Sequence, residues 1–134
     1  MSFDIFVQDI PAAAKSVDEI PENFVPKPIG ARSAVVASIS KVAPEVKFSG
    51  PEWGTIDGDG YRIDVNLGLS DPVTTFAFHL YGGEGGLFVI ADILDELGAR
   101  ALAPGTESGL FELDRTTEAF LRWREYRNKS SKGI

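Results

Sequence analysis

The chain carries a single histidine, His79, and no cysteine. One imidazole can serve as a general base only when a neighbouring group orients it. The strand pattern around it nominates Asp64 for that task, with Arg62 and Tyr81 completing a shallow polar pocket. No serine stands in a nucleophile elbow. Without cysteine, a thiolate nucleophile, an iron–sulfur cluster, a thiolate zinc site and a disulfide are all excluded.

Other chemistry-bearing residues read more simply as structure. Gly82-Gly83-Glu84-Gly85-Gly86 lies between a strand pattern and a helix pattern, where backbone amides could cradle an anion. It lacks the lysine and serine or threonine of a phosphate loop, misses the dinucleotide glycine spacing, and places Glu84 where phosphate would sit. A tight strand-to-helix connection is the better account. Asp57 and Asp59 flank glycines in the manner of a calcium loop, but Tyr61 and Gly68 occupy later ligand positions, so turn chemistry explains them. Asp92, Asp95 and Glu96 fall on the polar arc of a helix and make a solvated face. No metal and no cofactor is expected.

The elements that must position His79 come from alternation. Trp53 to Tyr81 reads as two consecutive hairpins. One face carries Ile56, Tyr61, Ile63, Val65, Phe76, Phe78 and Leu80. The other carries Trp53, Thr55, Arg62, Asp64, Asn66, Thr75, His79 and Tyr81, polar but rich in rings. A turn at Gly58-Asp59 would pair Ile56 with Tyr61 and Thr55 with Arg62. A looser turn near Ser70, Asp71 and Pro72 would pair Val65 with Phe76 and Ile63 with Phe78. That register sets Arg62 opposite His79 and leaves Asp64 diagonal to it. The candidate binding residues are therefore Trp53, Arg62, Asp64, Asn66, His79 and Tyr81, with no residue assigned a catalytic role.

Phe3 to Gln8 alternates as a further strand, with Phe3, Ile5 and Val7 on one side and Asp4, Phe6 and Gln8 on the other. Residues 9 to 29 hold four prolines, Pro11, Pro21, Pro26 and Pro28, which bar a long helix or central strand. A short helical turn followed by an extended arm, pinned by Ile20, Phe24, Val25 and Ile29, is expected. A helix is predicted from about Ala31 to Val42, closed by Pro44. A second, well-buried helix is predicted from about Leu87 to Leu97, stopped by Gly98. A short edge strand should occupy 99 to 103, and a last helix capped by Asp114 should dock through Phe120 and Trp123.

This order implies one domain over residues 1–134, of α+β class: an antiparallel sheet of four to five strands with helices packed on one face, a ferredoxin-like arrangement being one form of it. The length suffices to bury a core without staples. No apolar run reaches membrane-spanning length and no leader pattern opens the chain, which reads as cytoplasmic with no membrane partner.

The net charge is −7, from 13 basic and 20 acidic residues. Residues 115 to 134 hold six basic and two acidic side chains, or +4, so residues 1 to 114 carry −11. Such a body repels nucleic acid and attracts basic partners. The rings of Phe6, Trp53, His79 and Tyr81 could stack on bases, but Arg62 alone cannot neutralise a phosphate backbone. No nucleic-acid partner is expected. The proline-rich arm or a second copy of the chain could cover the rings, the second giving a homodimer.

Leu94 to Phe111, LDELGARALAPGTESGLF, and the strand Phe76 to Gly83, FAFHLYGG, resemble the corresponding parts of small uncharacterised bacterial proteins of immunity or accessory-factor type. The resemblance covers about a quarter of the chain, and the proline-rich arm and basic final helix depart from the common form. It implies a bacterial protein that binds another protein, a basic toxin or nuclease being one such partner, and performs no chemistry. The alternative is a small enzyme or ligand-binding domain using His79, Asp64, Arg62 and Tyr81.

Overall fold

A computed structural model describes residues 1–132. The first strand, β1 (Phe3–Gln8), leads through an irregular arm with one 3-10 turn (Val17–Glu19) to α1 (Arg32–Val42). Four strands follow: β2 (Lys47–Ser49), β3 (Trp53–Gly58), β4 (Tyr61–Asn66) and β5 (Thr75–Gly82). Then come α2 (Gly85–Leu97), β6 (Arg100–Leu102) and α3 (Leu113–Lys132). The architecture is α+β. Its sheet has six strands in the order β2-β3-β4-β5-β1-β6, every neighbour antiparallel. The strand beyond the expected range is β2, three residues long and too short for alternation to announce it. β5, α2 and β6 enclose β1 in a split β–α–β unit, the element of a ferredoxin-like arrangement, while β2 to β5 form a meander.

Alternation predicts the faces correctly. Phe3, Ile5, Val7, Ile56, Ile63, Val65, Phe76, Phe78 and Leu80 form the inner face and join one core with Val35 and Ile39 of α1, Leu87, Ile90 and Ile93 of α2, and Phe120 of α3. Fully burying side chains of this size contributes about 1.5–3 kcal/mol each. All three helices therefore share one side of the sheet.

The register differs from expectation by two residues in both hairpins. Gly58 pairs with Tyr61 and Ile56 with Ile63, so the turn is Asp59-Gly60, with Gly60 at φ 81°. Val65 pairs with Phe78 and Ile63 with Leu80. A slide of two residues preserves every face, so alternation cannot detect it. In the β3–β4 hairpin the observed register suits the Tyr61 ring, which lies across Gly58, where an added Cβ would stand 2.0 Å from Tyr61 Cζ.

The same ring explains the glycine-rich segment. A Cβ at Gly86 would meet Tyr61 Cδ2 at 3.2 Å and Leu80 Cδ1 at 2.3 Å, and one at Gly82 would meet the Gly60 carbonyl at 2.6 Å. Gly83 donates its amide to that carbonyl at 2.8 Å. The segment is thus a close connection seating α2 against the β3–β4 turn. At the other end of α2, Gly98 (φ 62°) ends the helix, and Ala99 donates to the Leu94 carbonyl.

Two further expectations change. Val25 does not pin the arm, being 80% exposed; Ile20 and Ile29 do, Ile20 with Ile10, Ala14, Leu102 and Leu110 at the β6 edge and Ile29 against the main core. The last helix begins at Leu113, placing Asp114 within its first turn rather than at the cap. The buried Thr116 hydroxyl accepts the Glu112 amide there, and the Thr116 amide donates to the Glu112 carbonyl. Phe120 and Trp123 dock against Phe3, with ring centroids 5.3 and 5.6 Å away. Arg124 meets Glu84 at 3.0 Å, so part of the basic helix is satisfied within the chain.

Arg32 secures the loops that flank the sheet. Its guanidinium donates to the carbonyls of Pro51, Gly68 and Ser70 at 2.6, 2.7 and 2.8 Å, and its amide donates to Asp71 at 3.0 Å. Charged hydrogen bonds of this kind, partly solvated, make Arg32→Ala cost about 1–3 kcal/mol in denaturant unfolding.

Burial, then the nearby carboxylates of Glu45 and Asp59, raise the Tyr61 phenol above its ordinary value. A raised folded-state value means the contribution is whole below the unfolded phenol's pKa and is lost as pH climbs through the folded one. Stability should accordingly fall above about pH 10, and Tyr61→Phe should lessen that slope in melts taken across the alkaline range.

Candidate functional site

Strand pairing arranges the outer face in rows that cross the sheet. One row runs Lys47, Thr55, Asp64, His79, Asp4; the next runs Ser49, Trp53, Asn66, Ala77, Phe6, Leu102. Beyond the first row lie Asp57, Arg62 and Tyr81. The structure thus corrects the expected neighbours of His79: Asp64 stands directly opposite it, and Arg62 stands opposite Tyr81. The two-residue slide of the β4–β5 pairing is the cause.

The six candidate residues do not form one pocket. Arg62, Asp64 and Tyr81 make one group, with Arg62 Nε 3.3 Å from Asp64 Oδ1 and its guanidinium carbon 4.3 Å from the Tyr81 ring centre. His79 belongs to another. Its Nδ1 is 2.7 Å from Asp4 Oδ1, the same oxygen that accepts the Ser2 hydroxyl, and the Trp53 ring leans across β4 to a centroid distance of 6.1 Å. Asn66 serves the backbone: its Oδ1 accepts the Gly68 amide at 3.1 Å, an Asx turn at the end of β4.

Asp4 is the residue that sequence reasoning missed. Alternation placed it on the correct side of β1, yet nothing local shows that β1 lies beside β5. An ionised carboxylate only accepts, so Nδ1 of the neutral ring carries the proton and Nε2 keeps a free lone pair. An Asp–His pair of this sort can orient a general base. Here it stands on an open sheet, with the His79 side chain 22% exposed.

An open groove of about 480 Å³ adjoins Asp4 where β1 meets α3, lined by Phe6, Arg122, Trp123 and Tyr126 among others. Of β1, β6 pairs with Phe6, Val7 and Gln8. Extending its register would bring Pro104, which has no amide hydrogen, opposite Asp4. The rest of β1 is left to α3.

Charge on this face is balanced. By register it presents Asp4, Asp57 and Asp64 against Lys47, Arg62 and Arg100, so the acidic excess lies on other surfaces. Among the described residues, no three His, Cys, Asp or Glu side chains come together to hold a metal ion. No described helix is long and apolar enough to cross a membrane.

No protein-family model matches the chain, and comparison with curated proteins and with solved structures returned no match.

The Asp4–His79 bond sets the tautomer. In nitrogen-15 spectra at alkaline pH the His79 ring should be mainly Nδ1-protonated, and Asp4→Asn should shift it toward the Nε2-protonated form. An unchanged spectrum in Asp4→Asn would show that the carboxylate does not orient the ring.

Proposed function

We propose that this chain is a non-catalytic protein-binding module of immunity-like or accessory kind, acting in the bacterial cytoplasm and meeting its partner through the outer sheet face. One observation carries the reading. Trp53 and Phe6 remain 39% and 37% exposed on the sheet face opposite the core that the described helices share. Large rings held on a rigid sheet contribute contact area at small entropic cost, and such side chains are enriched among the anchors of interfaces. The surrounding polar groups support it as well. His79 with Asp4, and Arg62 with Asp64 and Tyr81, are already paired, so a partner need not order them.

The balanced face directs specificity to rings and fixed hydrogen-bonding groups. Acidity elsewhere on the body acts on encounter with charged molecules, chiefly through association rate. The expectation of a basic partner concerns those other surfaces. Nucleic acid is disfavoured by the same long-range field.

The enzyme or ligand-binding alternative draws on the Asp4–His79 pair and the groove beside Asp4. Against it, the Arg62 guanidinium is committed to Asp64 and to the Tyr81 ring. The two readings part on His79→Ala, which would abolish a turnover but only modestly weaken protein binding.

Trp53→Ala tests the leading reading. Loss of an anchor costs about 2 kcal/mol or more, roughly thirtyfold in affinity. Tagged protein drawn from its native host should lose its partner with Trp53→Ala and retain it with Phe88→Ala, which removes an exposed ring from α2. Equal retention by both variants would refute the proposed surface.

A further inference from the structure

The groove between β1 and α3 runs along an open strand edge, and we infer that it takes an extended peptide with an acidic and a large apolar side chain two positions apart. The peptide adds to β1 as a short extra strand, at the edge of the sheet rather than on its face.

Main-chain hydrogen bonds define that edge. Phe111 donates its amide to the Ala101 carbonyl at 2.9 Å, and Ala103 donates to the Gly109 carbonyl at 2.8 Å, so both alanines turn these groups away from β1. Leu102 between them turns its own toward Phe6, its partner in the ladder. Main-chain groups alternate in direction along a strand, so the amide and carbonyl of Asp4 point the same way as those of Phe6. The β1–β6 pairing stops short of them. Pro104 has no amide hydrogen, and the chain bends aside at Gly105 (φ 99°), where the Thr106 amide and hydroxyl hold the Ala103 carbonyl at 3.2 and 2.8 Å. Among the described residues, no backbone group from that side bonds the Asp4 amide or carbonyl. A donor and an acceptor on one residue are what an antiparallel partner needs to exchange two bonds, the mode by which a peptide extends a sheet.

The walls set the side-chain pattern. α3 lines the groove with Ala119, Arg122, Trp123 and Tyr126, and Phe6 flanks it on the sheet. Tyr126 is 73% exposed, a ring with room for a contact. Residues directly opposite in a ladder share a face, so the peptide residue across from Asp4 points to the outer face and both of its neighbours point toward α3. One neighbour meets the rings and the other meets Arg122.

Charge selects the acidic residue. Arg115 pairs with Glu118, Arg124 pairs with Glu84, and Arg127 lies over the Trp123 ring at 4.9 Å. Arg122 is exposed, and among the described residues it has no ion-pair partner. A guanidinium fork matches a carboxylate with two parallel bonds. Residues 115 to 134 carry +4 against −11 for the rest, so the helix wall is where this acidic chain attracts an acidic segment. The Asp4 carboxylate is turned to the outer face, where its Oδ1 is already bonded to Ser2 and His79.

Two fluorescein-labelled peptides with blocked ends, Thr-Glu-Val-Phe-Thr and the reverse Thr-Phe-Val-Glu-Thr, cover both strand directions. Titrated with the full chain and followed by anisotropy, at least one should bind saturably with a dissociation constant below about 1 mM. For that peptide, lysine in place of glutamate, or a methyl group on the valine nitrogen, should weaken binding roughly tenfold. Arg122→Glu should do the same and favour the lysine peptide, while Tyr126→Ala should weaken binding several-fold and Phe88→Ala should not change it. Both groove side chains are exposed, and circular dichroism should show each variant folded; Arg122→Gln replaces Arg122→Glu if that one is not. In nitrogen-15 spectra the Asp4 amide should shift and exchange more slowly when peptide is bound. Absence of saturable binding by both peptides overturns the inference. Binding indifferent to the N-methyl group, or to the charge at Arg122, overturns it as well.

Discussion

Insertion of β1 between β5 and β6 is the constraint on which the rest of the molecule depends. Its six residues pair with a strand more than sixty residues away, from Phe3 with Leu80 to Gln8 with Thr75. That pairing seats Ile5 and Val7 in the middle of the core and gives β6 its neighbour in the sheet. It places Phe3 where Phe120 and Trp123 dock, so the last helix is anchored on the first strand. It also sets Asp4 against His79. Core, helix docking and candidate site thus share one long-range ladder, whose closing cost in chain entropy must be met by the burial it permits.

One-sided burial follows from that ladder. The three helices and the inner sheet face account for the apolar residues of the main core, while the arm and the loop after β6 cover a smaller cluster at one edge. The glycine-rich turn and the Tyr61 ring hold α2 close to the β3–β4 hairpin, and Arg32 ties the β2–β3 and β4–β5 loops to the start of α1. These devices stiffen the sheet from behind and at its ends. The outer face is thereby supported from behind, with Trp53 and Phe6 left partly exposed on it.

Electrostatics divide the surface by role. The chain is strongly acidic as a whole, yet the outer face pairs its charges locally: Arg62 with Asp64, and His79 with Asp4. Arg124 of the basic helix is joined to Glu84 just before α2. Charge segregation along the chain therefore does not translate into segregated patches of the same size on the folded surface.

Much of this protein was already determined by local pattern. Alternation placed Ile5, Ile63, Phe78 and Leu80 on the buried face, and Asp4, Arg62 and His79 on the other. Periodicity and Gly98 marked α2, Phe120 and Trp123 marked the docking side of α3, and the absence of cysteine removed thiol chemistry. Tertiary structure alone decided the neighbours. A strand's period of two is blind to a slide of two residues, so Arg62 rather than Asp64 was expected opposite His79. In the β4–β5 pairing that sets the neighbour of His79, Tyr61 stands opposite Gly82, where a Cβ would meet the Gly60 carbonyl and the Tyr61 backbone. Likewise, a strand pattern states which side chains share a face but not which strand lies alongside. That is why Asp4 was recognised as an outward residue but its bond to His79, seventy-five positions away, was not. Such pairings are chosen by the burial of the whole inner face, a quantity that no local segment contains.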